Sequence, residues 1–268
     1  MKKTILITGS TDGIGLEAAK LLVADGHRVL IHGRNPAKLE EVKQQFLDSS
    51  AEALVEPYQA DLSQIDQVEA MAEMLIANHD RIDVLINNAG ILKTPDPVTD
   101  DGLDVRFVVN TLAPYLLAKR LTPLLGASGR IVNLSSAAQE TVNDDAFSGK
   151  LRLNDMPAYA QSKLAITMWT KHMADAQQDG GPLVVAVNPG SLLGTKMVKE
   201  GFAIEGKDIG IGSDILIRAA LSDEFAQASG LYYDNDIGAF GPPHRDALDS
   251  KKCAAIVDAI ESALQNLS

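Results

Sequence analysis

The chain has 268 residues, within the reach of one α/β domain, and no Ser-, Pro- or Gly-rich linker divides it. With 24 basic against 36 acidic residues its net charge is −12, which disfavours nucleic acid and anionic membrane surfaces as partners. A single cysteine, Cys253, excludes an internal disulfide, and the five histidines lack ligand spacing, so no metal is expected.

The opening MKKTILI breaks at once into TGSTDG, far short of a signal-peptide apolar region, and no later run reaches transmembrane length; a cytoplasmic location without membrane contact is expected. Apolar, β-branched runs predict strands at 5–8, 28–32, 54–59, 84–87, 130–134 and 183–188. Helical periodicity covers 17–24, 36–46, 65–78, 103–125 and 159–176, and a last strand near 230–233 precedes a closing helix at 250–265. This alternation predicts an α/β fold, a doubly wound parallel sheet with crossover helices on both faces, in one domain over 1–268. The stretch 191–215 mixes glycines with Met197, Val198, Phe202, Ile204, Ile209 and Ile211 without clean periodicity; it reads as a substrate loop or a connecting one.

Between the first strand and the first helix stands TGSTDGIG, at 8–15. Gly9 permits the tight turn, Gly13 lets backbone N–H groups approach an anion, and Gly15 lets helix and sheet pack closely. The helix that starts here directs its unsatisfied N–H groups and positive dipole end at that anion, as a dinucleotide pyrophosphate requires. Tyr159 and Lys163 lie four apart on a predicted helix and so share a face. Lowering a phenol pKa by about 3 units takes roughly 4 kcal/mol, which one ammonium about 4 Å away supplies at an effective dielectric near 20.

In order along the chain, TGSTDGIG, Asp61, NNAG at 87–90, Asn110, the serines of RIVNLSS, YAQSK at 159–163 and NPG at 188–190 resemble the short-chain dehydrogenases/reductases over essentially the whole length. The resemblance implies a single Rossmann-type domain. It also implies a catalytic set of Asn110, Ser136, Tyr159 and Lys163, with Ser135 as the alternative serine. The cofactor would be held by Gly9, Ser10, Thr11, Asp12, Gly13, Ile14, Gly15, Arg34, Asn35, Asp61, Leu62, Asn88, Ala89, Gly90, Tyr159, Lys163, Pro189, Gly190, Leu192 and Thr195. Asn110 would help hold a water that relays protons to the lysine, and Asn87 would stabilise the central sheet. Ser136 and Tyr159 are 23 positions apart, more than in many members, and this spacing is closer to the retinol-dehydrogenase-like branch. The intervening 137–158 segment makes a longer wall beside the site.

The second strand ends in IHGRN, with Gly33 where an acid would accept a ribose 2′-hydroxyl and Arg34 placed to grip a 2′-phosphate, so NADP(H) is favoured over NAD(H). Asp12 adds a negative charge that works against this preference, and Arg34 also reads as a plain surface arginine. The resulting expectation is NADPH-dependent reduction of a ketone or aldehyde to the alcohol, reversibly, with Tyr159 as general acid/base and a hydrophobic small-molecule substrate. A non-catalytic NADP(H)-binding redox sensor or scaffold is the alternative. The resemblance further implies a homodimer or homotetramer paired through the helices at 103–125 and 159–176.

Overall fold

The computed structural model describes residues 1–177 and 180–267. Eight strands form one sheet: β1 (Thr4–Ile7), β2 (Arg28–Gly33), β3 (Leu54–Gln59), β4 (Val84–Asn87), β5 (Arg130–Leu134), β6 (Leu183–Asn188), β7 (Tyr232–Asp234) and β8 (Ala239–Phe240). Their order is β3-β2-β1-β4-β5-β6-β7-β8, parallel throughout except the final β7–β8 hairpin. The chain winds outward from β1 to β3 and then crosses to β4. The resulting switch point opens a crevice at the carboxyl ends of β1 and β4, where open α/β sheets bind ligands. Strands β1 and β4 are almost wholly buried, as expected of near-continuous Val/Ile/Leu runs covered on both faces.

Helices α1 (Gly13–Ala24) and α2 (Pro36–Ser49) cover one face, and α3 (Ile65–Asn78) the other. A continuous helical rod follows β4: α4 (Val105–Phe107), a π-helical turn over Val108–Leu112, then α5 (Ala113–Leu125). The 137–158 segment contains α6 (Asp144–Phe147), anchored by Phe147, whose ring meets Phe107 edge-on at 5.2 Å. Helix α7 (Asp155–Gln177) starts one turn before its expected beginning. Beyond β6 come α8 (Lys196–Phe202), α9 (Gly210–Leu221) and the closing α10 (Ser250–Leu267).

Two departures from the sequence reading have physical causes. The expected loop at 191–215 ends sooner, because α9 begins at Gly210 and buries Ile215 and Leu216 in the layer that holds α1. Gly210 and Gly212 dilute its apolar rhythm, and a Cβ at Gly212 would lie 2.7 Å from Leu193 Cδ1 and 3.0 Å from Ile14, so a larger residue there would have to push those side chains aside. The second departure concerns the expected pairing surface. Every residue of α7 from Ala160 to Thr170 is buried within one chain, and α5 is buried at most positions. Helix α10 occupies that face with Cys253, Ile256, Val257, Ile260 and Leu264, and its Glu261 accepts hydrogen bonds from Tyr115 and Lys119 of α5. Within the chain, the helices at 103–125 and 159–176 are thus partly covered, while Lys119, Pro123 and Asp175 stay exposed.

A polar chain crosses this otherwise apolar interior. Asn87 Nδ2 of β4 donates to Asn133 Oδ1 of β5 at 2.8 Å, and Asn133 Nδ2 donates to Thr170 Oγ1 of α7 at 2.8 Å. Thr170 in turn donates to the Ile166 carbonyl. Near the start of the same helix, the fully buried Arg106 forks onto both oxygens of Asp104 and reaches Asp155 in the first turn of α7.

Candidate active site

The glycine loop has the build of an anion cradle. Gly9 holds φ +66°, and a Cβ there would fall 2.9 Å from Ala89 Cα; at Gly15 it would fall 2.5 Å from the Gly9 carbonyl oxygen. These two glycines allow close packing. Gly13, at φ +58°, faces open space bounded only by Thr195, 3.7 Å away. The first-turn N–H groups of Ile14 and Gly15 border that opening, where an α-helix has no carbonyl of its own to offer. This opening and donor set fit a pyrophosphate. Asp12 is the N-cap of α1, accepting from Gly13 N at 2.8 Å, and its other oxygen pairs with Lys38 at 3.0 Å. Burial works to raise its pKa, but the Lys38 and Gly13 hydrogen bonds outweigh that and hold it below the ordinary carboxylate value. Its charge is thus capped and paired rather than free to repel a phosphate.

Asn88 and Ala89 fasten the loop from behind: Asn88 Nδ2 donates to the Thr8 and Gly9 carbonyls, and both backbone N–H groups donate to Thr8 Oγ1 at 3.1 Å. Ser10, fully buried, bonds back to His32. Thr11 abuts Gly33, where a Cβ would lie 2.7 Å from Thr11 Cγ2, so an acidic side chain is sterically unwelcome at that position. Arg34 is exposed just beyond, and Asn35 caps α2 by accepting from Lys38 N. At the next strand end Asp61 Oδ1 accepts from Ser63, while Leu62 turns its side chain into the core.

The candidate catalytic side chains gather beyond β5. Ser135 is buried, its hydroxyl donating to the Lys163 carbonyl and bonding Thr167, whereas Ser136 shares a hydrogen bond with the Tyr159 hydroxyl. The two adjacent serines thus have separate positions, and Ser136 is the one in the cleft. Lys163 is 4 % exposed, donates to the Leu134 carbonyl at 2.6 Å and stands 5.7 Å from the centre of the Tyr159 ring. Burial pushes its pKa down to about 8. Burial also raises the Tyr159 phenol, and the Ser136 hydrogen bond offsets only part of the rise. The expected lowering by Lys163 is not met in this geometry, because desolvation acts on both groups and the ammonium is turned to a carbonyl. Asn110 lies in the π turn with its amide fully engaged: Oδ1 accepts Ile91 N, and Nδ2 donates to the Ile91 carbonyl and Ser162 Oγ. A Cβ at Gly90 would sit 3.3 Å from Asn110 Oδ1 and 3.4 Å from Lys163 Nζ, which keeps that position small.

Ser136 and Tyr159 line a cavity of about 180 Å³ together with Ile14, Pro189, Gly190, Leu192 and Thr195. Its apolar wall comes from Leu92, Met156, Met197, Val198 and Phe202, and no charged side chain lines it among the described residues. Of the expected apolar loop residues, Ile204, Ile209 and Ile211 do not line it, and Phe202 reaches it while remaining exposed. Leu192 adopts φ +58°, a left-handed conformation that costs a branched residue roughly 1 kcal/mol and is held here by the Lys207 N–H on its carbonyl.

Sequence reasoning missed four contributors. His32 bridges two loops, its Nδ1 accepting from Gly9 N at 3.0 Å and its Nε2 facing the Ala60 carbonyl at 3.1 Å; burial lowers its pKa to about 4, which fixes a neutral ring with the proton on Nε2. A lone histidine in an apolar strand gives no such signal. Lys38 comes to Asp12 only because α2 folds back beside the loop. Tyr232 donates to the Ser136 carbonyl at 3.1 Å, and Asp236 bonds Ser191; both come from the hairpin far along the chain. Among the described residues no helix is long and apolar enough to cross a membrane.

Comparison with known proteins agrees with this geometry. A family model described as short chain dehydrogenase matches residues 3–205. Retinol dehydrogenase 13 of Homo sapiens is 31% identical over 251 residues, spanning 87% of this chain and 76% of that protein. The chloroplastic short-chain dehydrogenase TIC 32 A of Brassica napus is 30% identical over 253 residues, 86% of this chain and 79% of that one. Among solved structures, a protein from Mycobacterium paratuberculosis superposes with a TM-score of 0.80 at 25% identity, covering 98% of this chain and 93% of its own. A short chain dehydrogenase from Escherichia coli CFT073 complexed with NADPH gives 0.69 at 27% identity, covering 87% and 96% respectively.

Proposed function

From the premise that this chain belongs to the short-chain dehydrogenase/reductase family, in its retinol-dehydrogenase-like branch, we propose that it reduces a hydrophobic ketone or aldehyde with NADPH, reversibly, in one catalytic domain over 1–268. An oxidoreductase acting between carbonyl and alcohol follows from the family itself; the cofactor preference, the substrate class and the role of Tyr159 are the proposal. The observation that carries it is the Ser136–Tyr159 hydroxyl pair in an apolar cleft with Lys163 behind it.

When bound at the glycine loop, the dinucleotide supplies the hydride. Ser136 donates a hydrogen bond to the carbonyl oxygen and steadies the charge that develops there. Tyr159 donates its proton to the same oxygen, and Lys163, held on the Leu134 carbonyl behind it, refills it. Because the Asn110 amide is engaged by Ile91 and Ser162, the backbone of the π turn is the group left to hold a relay water. Arg34 and Lys38 supply the cations for a 2′-phosphate, with Gly33 clear of any acid. The complex of a relative with NADPH supports this preference. The apolar wall of Leu92, Met156 and Phe202 supports the substrate class, with residues 191–209 as the substrate loop. We place the protein in the cytoplasm as a homodimer or homotetramer, paired through the positions of α5 and α7 that α10 leaves exposed.

The test follows NADPH and NADH absorbance with aromatic ketones, aliphatic aldehydes, steroids and retinal. Tyr159→Phe is expected to lower turnover by ~10² to 10⁴, and a loss under tenfold refutes the general-acid role. The raised Tyr159 phenol favours a second reading, a cofactor-binding sensor, which predicts tight NADPH binding and no consumption across the panel.

A further inference from the structure

The turn that joins β7 to β8 directs its polar groups into the chain instead of toward solvent. Asp236 Oδ1 accepts the Ser191 N–H at 2.8 Å, and its Oδ2 accepts the Ser191 hydroxyl at 2.5 Å and Asn188 Nδ2 at 2.9 Å. Asn235 grips the same strip from beside it: its N–H donates to the Asn188 carbonyl at 3.2 Å, and its Nδ2 donates to the Pro189 carbonyl at 3.0 Å and the Ile211 carbonyl at 3.3 Å. The far stem of the substrate loop closes on this point as well. Lys207 bonds across to Leu192 and Gly194 through backbone pairs of 2.7 Å, and its ammonium lies 3.9 Å from Asp236. That ammonium is largely exposed and contributes little; the three donors converging on the partly exposed carboxylate are the strong part. Burial acts to raise the Asp236 carboxyl, yet the Ser191 and Asn188 hydrogen bonds hold it below the ordinary value, so it stays ionised. A hairpin turn needs none of these contacts to reverse its direction. What they hold, residues 189–191, lines the cleft opposite Ser136 and Tyr159.

We infer that Asp236 is a positioning residue for the nicotinamide half of the cofactor, fixing residues 189–192 as a preformed wall of the cleft. This rests on the proposed function: residues 189–192 line the same cavity as Ser136 and Tyr159, and hydride delivery to a carbonyl held by those two hydroxyls puts the nicotinamide in that cavity. A wall fixed before binding adds affinity by sparing the ordering cost at the moment of capture. It acts only on a ligand that reaches the wall.

The test titrates the full chain and its Asp236→Ala and Asp236→Asn variants with two probes, NADPH and 2′,5′-ADP, the second lacking the nicotinamide ribose. Trypsin cleavage at Lys196, Lys199 and Lys207 reports the loop in parallel. Asp236→Ala is expected to weaken NADPH at least fivefold, to leave 2′,5′-ADP within twofold, and to speed loop cleavage; Asp236→Asn, which keeps an acceptor oxygen, falls between. Unchanged NADPH affinity overturns the inference, and so does an equal loss for both probes, which marks general destabilisation. If the wild-type chain binds neither probe, the cofactor reading itself fails and takes the inference with it.

Discussion

Lys163→Met should make the unliganded protein more stable at neutral pH while abolishing most of its turnover. The native ammonium is buried, and its pKa falls from 10.5 to about 8, a difference equivalent to about 3 kcal/mol of disfavoured charge at 1.36 kcal/mol per pK unit. Methionine removes that charge with similar volume but leaves the Leu134 carbonyl without its donor, which costs about 1 kcal/mol. The net gain is about 2 kcal/mol at pH 7. Its pH dependence is the sharper signature. Between pH 8 and 10.5 the unfolded chain still holds the Lys163 proton and the native one has released it, so wild-type stability rises with pH through that window and the variant's advantage disappears. Urea unfolding of both proteins from pH 7 to 10.5 isolates this difference, because every other titrating group is common to the pair. A variant less stable than wild type at pH 7, or a difference that does not change with pH, would refute the desolvation argument.

Arg106→Leu strands the buried Asp104 carboxylate and should cost about 3–5 kcal/mol by urea unfolding, with Asp104→Leu in the same chain recovering part of it; a loss under 1 kcal/mol would contradict the burial of the pair. Arg34→Ala should weaken 2′,5′-ADP about tenfold and leave 5′-AMP unchanged in calorimetric titration, consistent with one charge-assisted contact; equal losses for both nucleotides would remove the 2′-phosphate assignment. Truncation after Asp249 removes α10 and uncovers the apolar side of α7, so light scattering should show association beyond that of the full chain; a mass and unfolding midpoint unchanged from the full chain would mean that the helix is dispensable.

The sheet could be read in the sequence because six of its strands are short apolar runs bounded by turn chemistry, and those runs match the observed strands to within a residue. The glycine turn after β1 was equally open to reading, since a Cβ at Gly9 or Gly15 would meet backbone atoms within 3 Å and Gly9 and Gly13 hold positive φ. The early start of α7 was hidden by Pro157, which reads as a break yet is tolerated in a first helical turn. Strand β8 was missed because two exposed residues carry no pattern. Ser136 could be preferred to Ser135 only through the family motif; the direction of each side chain, inward to Thr167 or outward to Tyr159, is what separates them physically. His32 and Asp236 were passed over for the same reason in opposite guises, a polar residue in a core strand and an acid in a turn, where the partners come from distant elements.

The Asn87–Asn133–Thr170 chain does for α7 what apolar contacts cannot. Greasy surfaces slide past one another at small cost, so a helix packed on a sheet by aliphatic groups alone has several near-equivalent seats, separated by the ~1.5 Å rise of one residue. A slip of that size here would leave buried amide and hydroxyl groups unpaired, at about 1–3 kcal/mol each, and would therefore be rejected during folding. Thr170 lies eleven residues beyond Tyr159, about three helical turns, and so on the same face. The seat chosen deep in the interior therefore sets the angle at which the phenol emerges into the cleft, as the key of a shaft sets the bearing of a distant pointer.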